Sequence, residues 1–219
     1  ARPLPDGAMK RTRHFMPTRR QWLLAAALSG GSLVGMARAA EPVLPRVVIE
    51  TPLGRIVVEL ETKRAPLSAA DFLRYVDKGL YNGAGFYRSV RRDNDRGTPT
   101  IEVVQGGLLD DSRALPPVAH EPTGRSGLKH LDGTLSVARS APGTGGGAAF
   151  FICIGDQPGL DEGALRNPDG LGFAAFGRVV SGMDVVKRIH AAPTDPTQGS
   201  EYVRDQLLAQ PVAIRKASR

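Results

Sequence analysis

The chain has 219 residues, including 17 prolines and one cysteine, and a formal net charge of +7. Its 41% hydrophobic and 23% charged content is that of a globular protein, which excludes wholesale disorder, collagen and coiled coil, and a lone cysteine excludes an internally disulfide-stapled fold. Seven of the 29 Lys/Arg but only one of the 22 Asp/Glu fall in residues 1–39, so the remainder carries a net charge of +1 and gives no reason to expect a nucleic-acid partner.

Residues 1–39 read as an N-terminal extension and a cleavable signal peptide. A basic stretch from Met9 precedes an apolar run from Trp22 to Met36, which ends in the small-x-small pattern Ala37-Arg38-Ala39. The run is short of the roughly 20 residues a bilayer core requires. Thr18-Arg19-Arg20-Gln21-Trp22-Leu23 resembles a twin-arginine export motif. Ordinary secretion is the alternative export route, because a basic leader can place two arginines together by chance, and an uncleaved anchor is the remaining reading. Either route predicts a mature domain at 40–219 in a bacterial periplasm, with no stable membrane anchor after cleavage.

Residues 40–219 read as one mainly β domain. Arg46 to Thr51 and Arg55 to Glu61 are β-branched runs around Pro52-Leu53-Gly54, a hairpin signal. Pro66 opens a helical pattern with Phe72, Leu73, Val76 and Leu80 on one face. Ser68 and Asp71 have capping-box spacing, and Gly79 marks the stop. Strands are predicted at Phe86 to Val90 and Ile101 to Gln105, separated by the polar stretch Arg91 to Pro99. Others follow at Gly133 to Ala138, Phe150 to Ile154, Phe173 to Val180 and Pro211 to Lys216. A second helix places Met183, Val186 and Ile189 together. Many short strands with glycine-rich turns favour a barrel or sandwich.

Several chemistries lack their residues. Ala141 to Gly147 is glycine-rich, but no Lys-Ser/Thr follows for phosphate and magnesium, so it reads as a flexible surface turn. Asp93-x-Asp95-x-Gly97 lacks the later bidentate glutamate of a calcium loop and reads as solvated. His14, His120, His130 and His190 have no metal-ligand spacing, so no metal is expected. Ser140 has no nucleophile elbow. Cys153, within an apolar run, reads as a buried core thiol.

Six short blocks follow in order: Phe86-Tyr87-Arg88, Gln105-Gly106-Gly107, Gly133 to Arg139, Phe150-Phe151-Ile152, Leu160-Asp161, and Phe173 to Val179. In that order they resemble the cyclophilin family of peptidyl-prolyl cis-trans isomerases in its bacterial exported form, over roughly Arg46 to Ile189. The resemblance implies an eight-stranded antiparallel β-barrel closed by two α-helices. It also implies rotation about X–Pro bonds without cofactor or metal. Arg88 matches the family's catalytic arginine, and Gln105 the glutamine that holds it and the substrate carbonyl. Phe151, Val103 and Leu160 match pocket-wall positions, and Phe173 stands where the family has His or Tyr. Ala138 and Arg139 match the strand along which the extended substrate binds.

Departures from the family pattern accompany the match. Ala148-Ala149 replaces a Ser-Gln pair, removing a side chain able to bond the substrate backbone, so reduced activity is expected. Tyr87 replaces a histidine, Val103 a methionine and Glu102 an apolar residue. Arg91 to Pro99 looks like an insertion beside the pocket. Gly159 replaces the tryptophan with which the family binds cyclosporin, so sensitivity to that drug should be low. Two function classes stay open. One is a monomeric isomerase that assists folding of exported, proline-containing polypeptides. The other is a non-catalytic proline-peptide binder or holdase on the same scaffold.

Overall fold

The computed structural model describes residues 43–219; the leader read from residues 1–39 lies outside the described residues. The first hairpin joins β1 (Arg46–Thr51) to β2 (Gly54–Leu60). Thr51 folds the turn, its hydroxyl donating to the Gly54 carbonyl at 2.8 Å and accepting from the Leu53 N–H. α1 (Pro66–Asp77) begins on a proline, where a missing N–H costs nothing, and buries Phe72, Leu73 and Val76. It stops where Gly79 turns left-handed at φ +64°.

The expected Ser68–Asp71 capping box does not form. The N-cap is Ala65, without a side-chain bond. Glu121, distant in sequence and buried, instead accepts from the Leu67 and Ser68 N–H groups and the Ser68 hydroxyl. That places a carboxylate at the positive end of the helix, as a capping box would have done. Asp71 is turned inward, where its carboxylate accepts from the Gly147 N–H at 2.7 Å. This contact and the burial of Gly147 mean that the glycine-rich stretch is an exposed turn only in its first part, Ala141 to Thr144.

The remaining elements are β3 (Gly85–Val90), β4 (Val103–Gly107), α2 (Thr123–Ser126), β5 (Thr134–Val137), β6 (Ala149–Cys153), β7 (Ala174–Ser181), α3 (Met183–His190), β8 (Leu207–Ala213) and β9 (Lys216–Ser218). All strand pairs are antiparallel, in the order β8-β3-β4-β6-β5-β7-β2-β1-β9. The last strand begins earlier than expected and breaks near Ile214. Its first part pairs with β3 at one edge of the sheet and its second part with β1 at the other. A single bent segment therefore serves both edges, which would otherwise expose unpaired backbone. Counted as one, it restores the expected eight strands. The third helix, α2, is a single turn of Thr-Gly-Arg-Ser with no apolar periodicity to predict it.

Alternation along the strands divides apolar side chains between two faces. Inside lie Phe72, Tyr75, Tyr81, Phe86, Phe150 and Phe176, all buried. Their rings pack at centroid separations such as 5.3 Å for Phe72 edge-on to Phe150. A second cluster of Val90, Ile101, Val103, Phe151, Cys153 and Leu160 forms separately. Phe150 and Phe151 belong to different clusters, as adjacent strand residues should. Fully burying such side chains contributes roughly 1.5–3 kcal/mol each.

Candidate active site

The second cluster floors a cleft of about 910 Å³. Strand register positions its functional residues. Arg88 on β3 is paired with Gln105 on β4, Gln105 with Phe151 on β6, and Phe151 with Ser136 on β5. Residues far apart in sequence thus form one row across four strands. A β-bulge at Tyr87 lets Arg88 join the row. Phe86 points into the core, and strict alternation would send Arg88 the same way. The register shift between Phe86 and Arg88 turns the guanidinium toward the cleft instead.

All eight sequence-predicted site residues line this cleft: Arg88, Val103, Gln105, Ala138, Arg139, Phe151, Leu160 and Phe173. Phe151 and Phe173 meet edge to face at 5.3 Å and 87°. Behind Phe151 the buried His130 ring stacks at 6.0 Å. His130 is itself held between Asp161 (2.8 Å) and the Ser136 hydroxyl (3.0 Å). The cleft floor is therefore apolar at its surface and hydrogen-bonded beneath.

Arg88 is heavily braced. Its Nη1 donates to Gln105 Oε1 at 3.0 Å, while Nε and Nη2 both donate to Gln206 Oε1 at 2.9 and 2.6 Å. Gln105 Nε2 in turn donates to the Tyr87 hydroxyl at 3.0 Å, so the residue in the histidine position fixes the amide. Gln206 Nε2 donates to the Asn94 carbonyl at 2.8 Å. Burial lowers the Arg88 pKa from its ordinary value, but arginine remains charged at neutral pH. A guanidinium offers five N–H groups, and these contacts use one on each nitrogen. Among the described residues, one N–H on Nη1 and one on Nη2 remain for a ligand.

The structure corrects two expectations here. Ala138 and Arg139 lie just beyond β5 rather than on it, although the Ala138 N–H still reaches the Ala149 carbonyl at 3.0 Å. The Arg139 side chain is committed elsewhere. It bonds the Gly172 carbonyl and grips Asp169 at 2.7 and 3.0 Å, with its guanidinium 5.4 Å from the Phe173 ring centre. It holds the Phe173 wall in place. That grip, chiefly the Arg139 bonds, pulls the Asp169 pKa down to about 2.

The second correction concerns Asp95, expected in a solvated loop. Its side chain is 1% exposed and pairs with Arg166, itself 4% exposed, through two 2.7 Å bonds. Burial alone would raise the Asp95 pKa, but the Arg166 bonds and the Ile101 and Gly97 N–H groups bring it below its ordinary value. The insertion is thereby fastened to the loop that follows Leu160. Pro99 packs on Gly159 so closely that a Cβ there would lie 2.5 Å from Pro99 Cγ.

Sequence reasoning missed Gln206, Tyr202, Arg166 and Asn94. They sit in loops without periodicity, and their partners are far away in the chain. One usable signal existed: Tyr202 is the only aromatic residue after Phe176.

Comparison with known proteins adds to this geometry. Residues 46–218 match the family model described as cyclophilin type peptidyl-prolyl cis-trans isomerase/CLD. The chain is 33% identical over 199 residues to peptidyl-prolyl cis-trans isomerase A of Dickeya dadantii, which covers 89% of this chain and 95% of that one. It is 32% identical over 192 residues to a peptidyl-prolyl cis-trans isomerase of Acinetobacter baylyi, covering 86% and 91%. Its fold is similar to a Cryptosporidium parvum cyclophilin-type isomerase crystallised in the presence of the dipeptide Ala-Pro. That match has a TM-score of 0.60 at 20% identity and covers 80% of this chain and 98% of the other.

Proposed function

This chain belongs to the cyclophilin-type peptidyl-prolyl cis-trans isomerases, and we propose that Arg88 and the pocket around Phe151 carry the reaction, on proline-containing polypeptides exported to a bacterial periplasm. The activity is isomerisation of X–Pro bonds; residue roles, clients and compartment are our reading. The barrier to that rotation, roughly 18–20 kcal/mol, comes from amide resonance that ties up the prolyl nitrogen lone pair. Twisting the bond frees the lone pair and makes the nitrogen a better hydrogen-bond acceptor. A charged donor placed there stabilises the twisted state more than the planar one, and only such a difference accelerates the step.

The observation that carries this reading is the Arg88 arrangement. The guanidinium is fixed through one N–H on each nitrogen, retains two others, and stands beside an apolar floor of Phe151, Val103 and Leu160. That floor suits a proline ring, and gripping the ring lets the preceding carbonyl turn. Gln105 acts through Arg88 as a positioning residue. The Ala-Pro dipeptide used with the Cryptosporidium relative is the simplest ligand of this kind. The periplasmic compartment rests on the leader pattern at 1–39. The test is isomerisation of an Ala-Pro peptide by the chain and by Arg88→Ala. Peptide binding without turnover in the unmodified chain would make it a binding module instead.

A further inference from the structure

Two segments outside the six sequence blocks meet over Arg88. One is the stretch 91–99, read as an insertion, and the other is the stretch 194–206 between α3 and β8. They are tied together: Asn94 Nδ2 donates to the Asp205 carbonyl at 2.7 Å, Arg91 Nη2 to the Thr194 hydroxyl at 3.2 Å, and the Thr194 hydroxyl to Asp205 at 2.7 Å. Gln206 closes the join by bonding both Asn94 and Arg88.

This scaffold presents Tyr202, carried on the short turn Glu201–Val203, at the cleft. The Arg88 guanidinium carbon lies 5.8 Å from the Tyr202 ring centre, within cation–π range. The Tyr202 hydroxyl lies 3.4 Å from Arg166 Nη2, and Arg166 is pinned by Asp95 and the Pro99 carbonyl. The ring is thus held at both ends, yet the residue is 54% exposed. Val90, Ile101 and Val203 line the same cleft. A fixed, half-open aromatic beside apolar residues, contiguous with the proline pocket, is suited to cover another apolar group.

We propose that Tyr202, with Val203 and Ile101, forms an accessory subsite. It receives an apolar, preferentially aromatic side chain from a residue flanking the substrate proline, on the side of the cleft away from Ala138. The proposal rests on the reading of Phe151 and Arg88 as the proline site. Tyr202 is then a specificity residue of this chain, supplied by a segment with no counterpart among the sequence blocks.

The experiment uses two short peptide series, one varying the residue before proline and one the residue after it, through Ala, Leu, Phe, Glu and Lys. The quantity read is the Phe-over-Ala ratio of kcat/KM, and in parallel the ratio of affinities by chemical-shift titration. In one series the unmodified chain should favour Phe by roughly three- to tenfold. Tyr202→Ala should bring that ratio close to one, whatever it does to absolute rates, and Tyr202→Phe should preserve it. Tyr202→Leu makes the same comparison should the Ala variant not fold, with an intermediate ratio expected. A chain that bound peptides without turnover would still report through the affinity ratio, so failure of the isomerase reading is distinguishable. No preference in either series, or a preference that survives Tyr202→Ala, overturns the proposal.

Discussion

Arg88 and Gln206, 118 positions apart, are joined by two hydrogen bonds converging on one oxygen, Gln206 Oε1. Gln206 is 1% exposed, and its other end is fastened to the Asn94 carbonyl. The guanidinium is therefore preset by the C-terminal part of the chain as well as by Gln105 across the sheet. Preset orientation of a charged donor is what electrostatic stabilisation of a twisted amide requires.

Gln206→Leu removes the acceptor for both Arg88 Nε and Nη2 and leaves the Asn94 carbonyl without its donor. A buried polar group without a partner costs about 1–3 kcal/mol. The expected outcome is a stability loss of that order in urea unfolding and a fall in kcat larger than the change in KM. A variant with unchanged kcat would mean that Gln105 alone orients Arg88.

The buried Asp95–Arg166 pair predicts an acid-dependent effect. Asp95 has a folded pKa below its ordinary value, so its stabilisation is fully present above the ordinary carboxylate range. It is lost as pH falls through the folded value, below about pH 4. Asp95→Asn leaves Arg166 buried without its countercharge and should cost about 3 kcal/mol at neutral pH. The gap between variant and unmodified chain should narrow toward pH 3, because protonation of Asp95 then removes from the unmodified chain the interaction that the variant already lacks. A gap that stayed constant across this range would show that the ion pair contributes nothing.

How much of this was legible in the sequence depends on where each partner lies. The β1–β2 hairpin was readable because the β-branched runs around Pro52-Leu53-Gly54 are local. Helix α3 was readable because Val186 and Ile189 mark its face. The apolar site residues were readable because strand alternation separates Phe151 from Phe150. The bulge at Tyr87 was not, since register is set by the neighbouring strands. Nor were the contacts of Gln206 and Arg166. Each satisfies a charge or carbonyl brought near only when two loops fold over the sheet, and no local pattern encodes that meeting. The Ser68–Asp71 spacing misled because Glu121, 53 residues beyond Ser68, occupies the capping position.

Gly159 and Pro99 make a prediction about drug binding. A side chain at position 159 would collide with the Pro99 ring, and the family resemblance implies a tryptophan at that position. We expect isomerase activity to persist at cyclosporin concentrations that inhibit a tryptophan-bearing relative. Gly159→Trp alone should not confer sensitivity and should destabilise the fold by about 1–3 kcal/mol through overpacking. Combining it with a shortened 91–99 loop should confer sensitivity. Drug binding by the single variant, read by tryptophan fluorescence, would contradict this account.

The sharpest contrast lies between Arg88 and Phe151, neighbours in the same row but with different expected roles. On the proposed reading Arg88 stabilises the twisted amide, so Arg88→Ala should lower kcat and kcat/KM together with little change in peptide affinity or fold. Arg88→Lys should recover little. An ammonium is a compact point charge and cannot reproduce a fork that bonds Gln105 and Gln206 while keeping donors free. On the same reading Phe151 would touch the proline ring in planar and twisted states alike. Phe151→Ala should therefore weaken affinity and turnover in parallel. It should also cost about 3–5 kcal/mol of stability, since the ring is buried against Phe173 and His130. NMR line-shape kinetics on an Ala-Pro peptide, with circular dichroism to confirm folding, separates the two patterns. If Arg88→Ala retained full turnover, the acceleration would have to come from the pocket alone, by gripping the ring and excluding water from the amide.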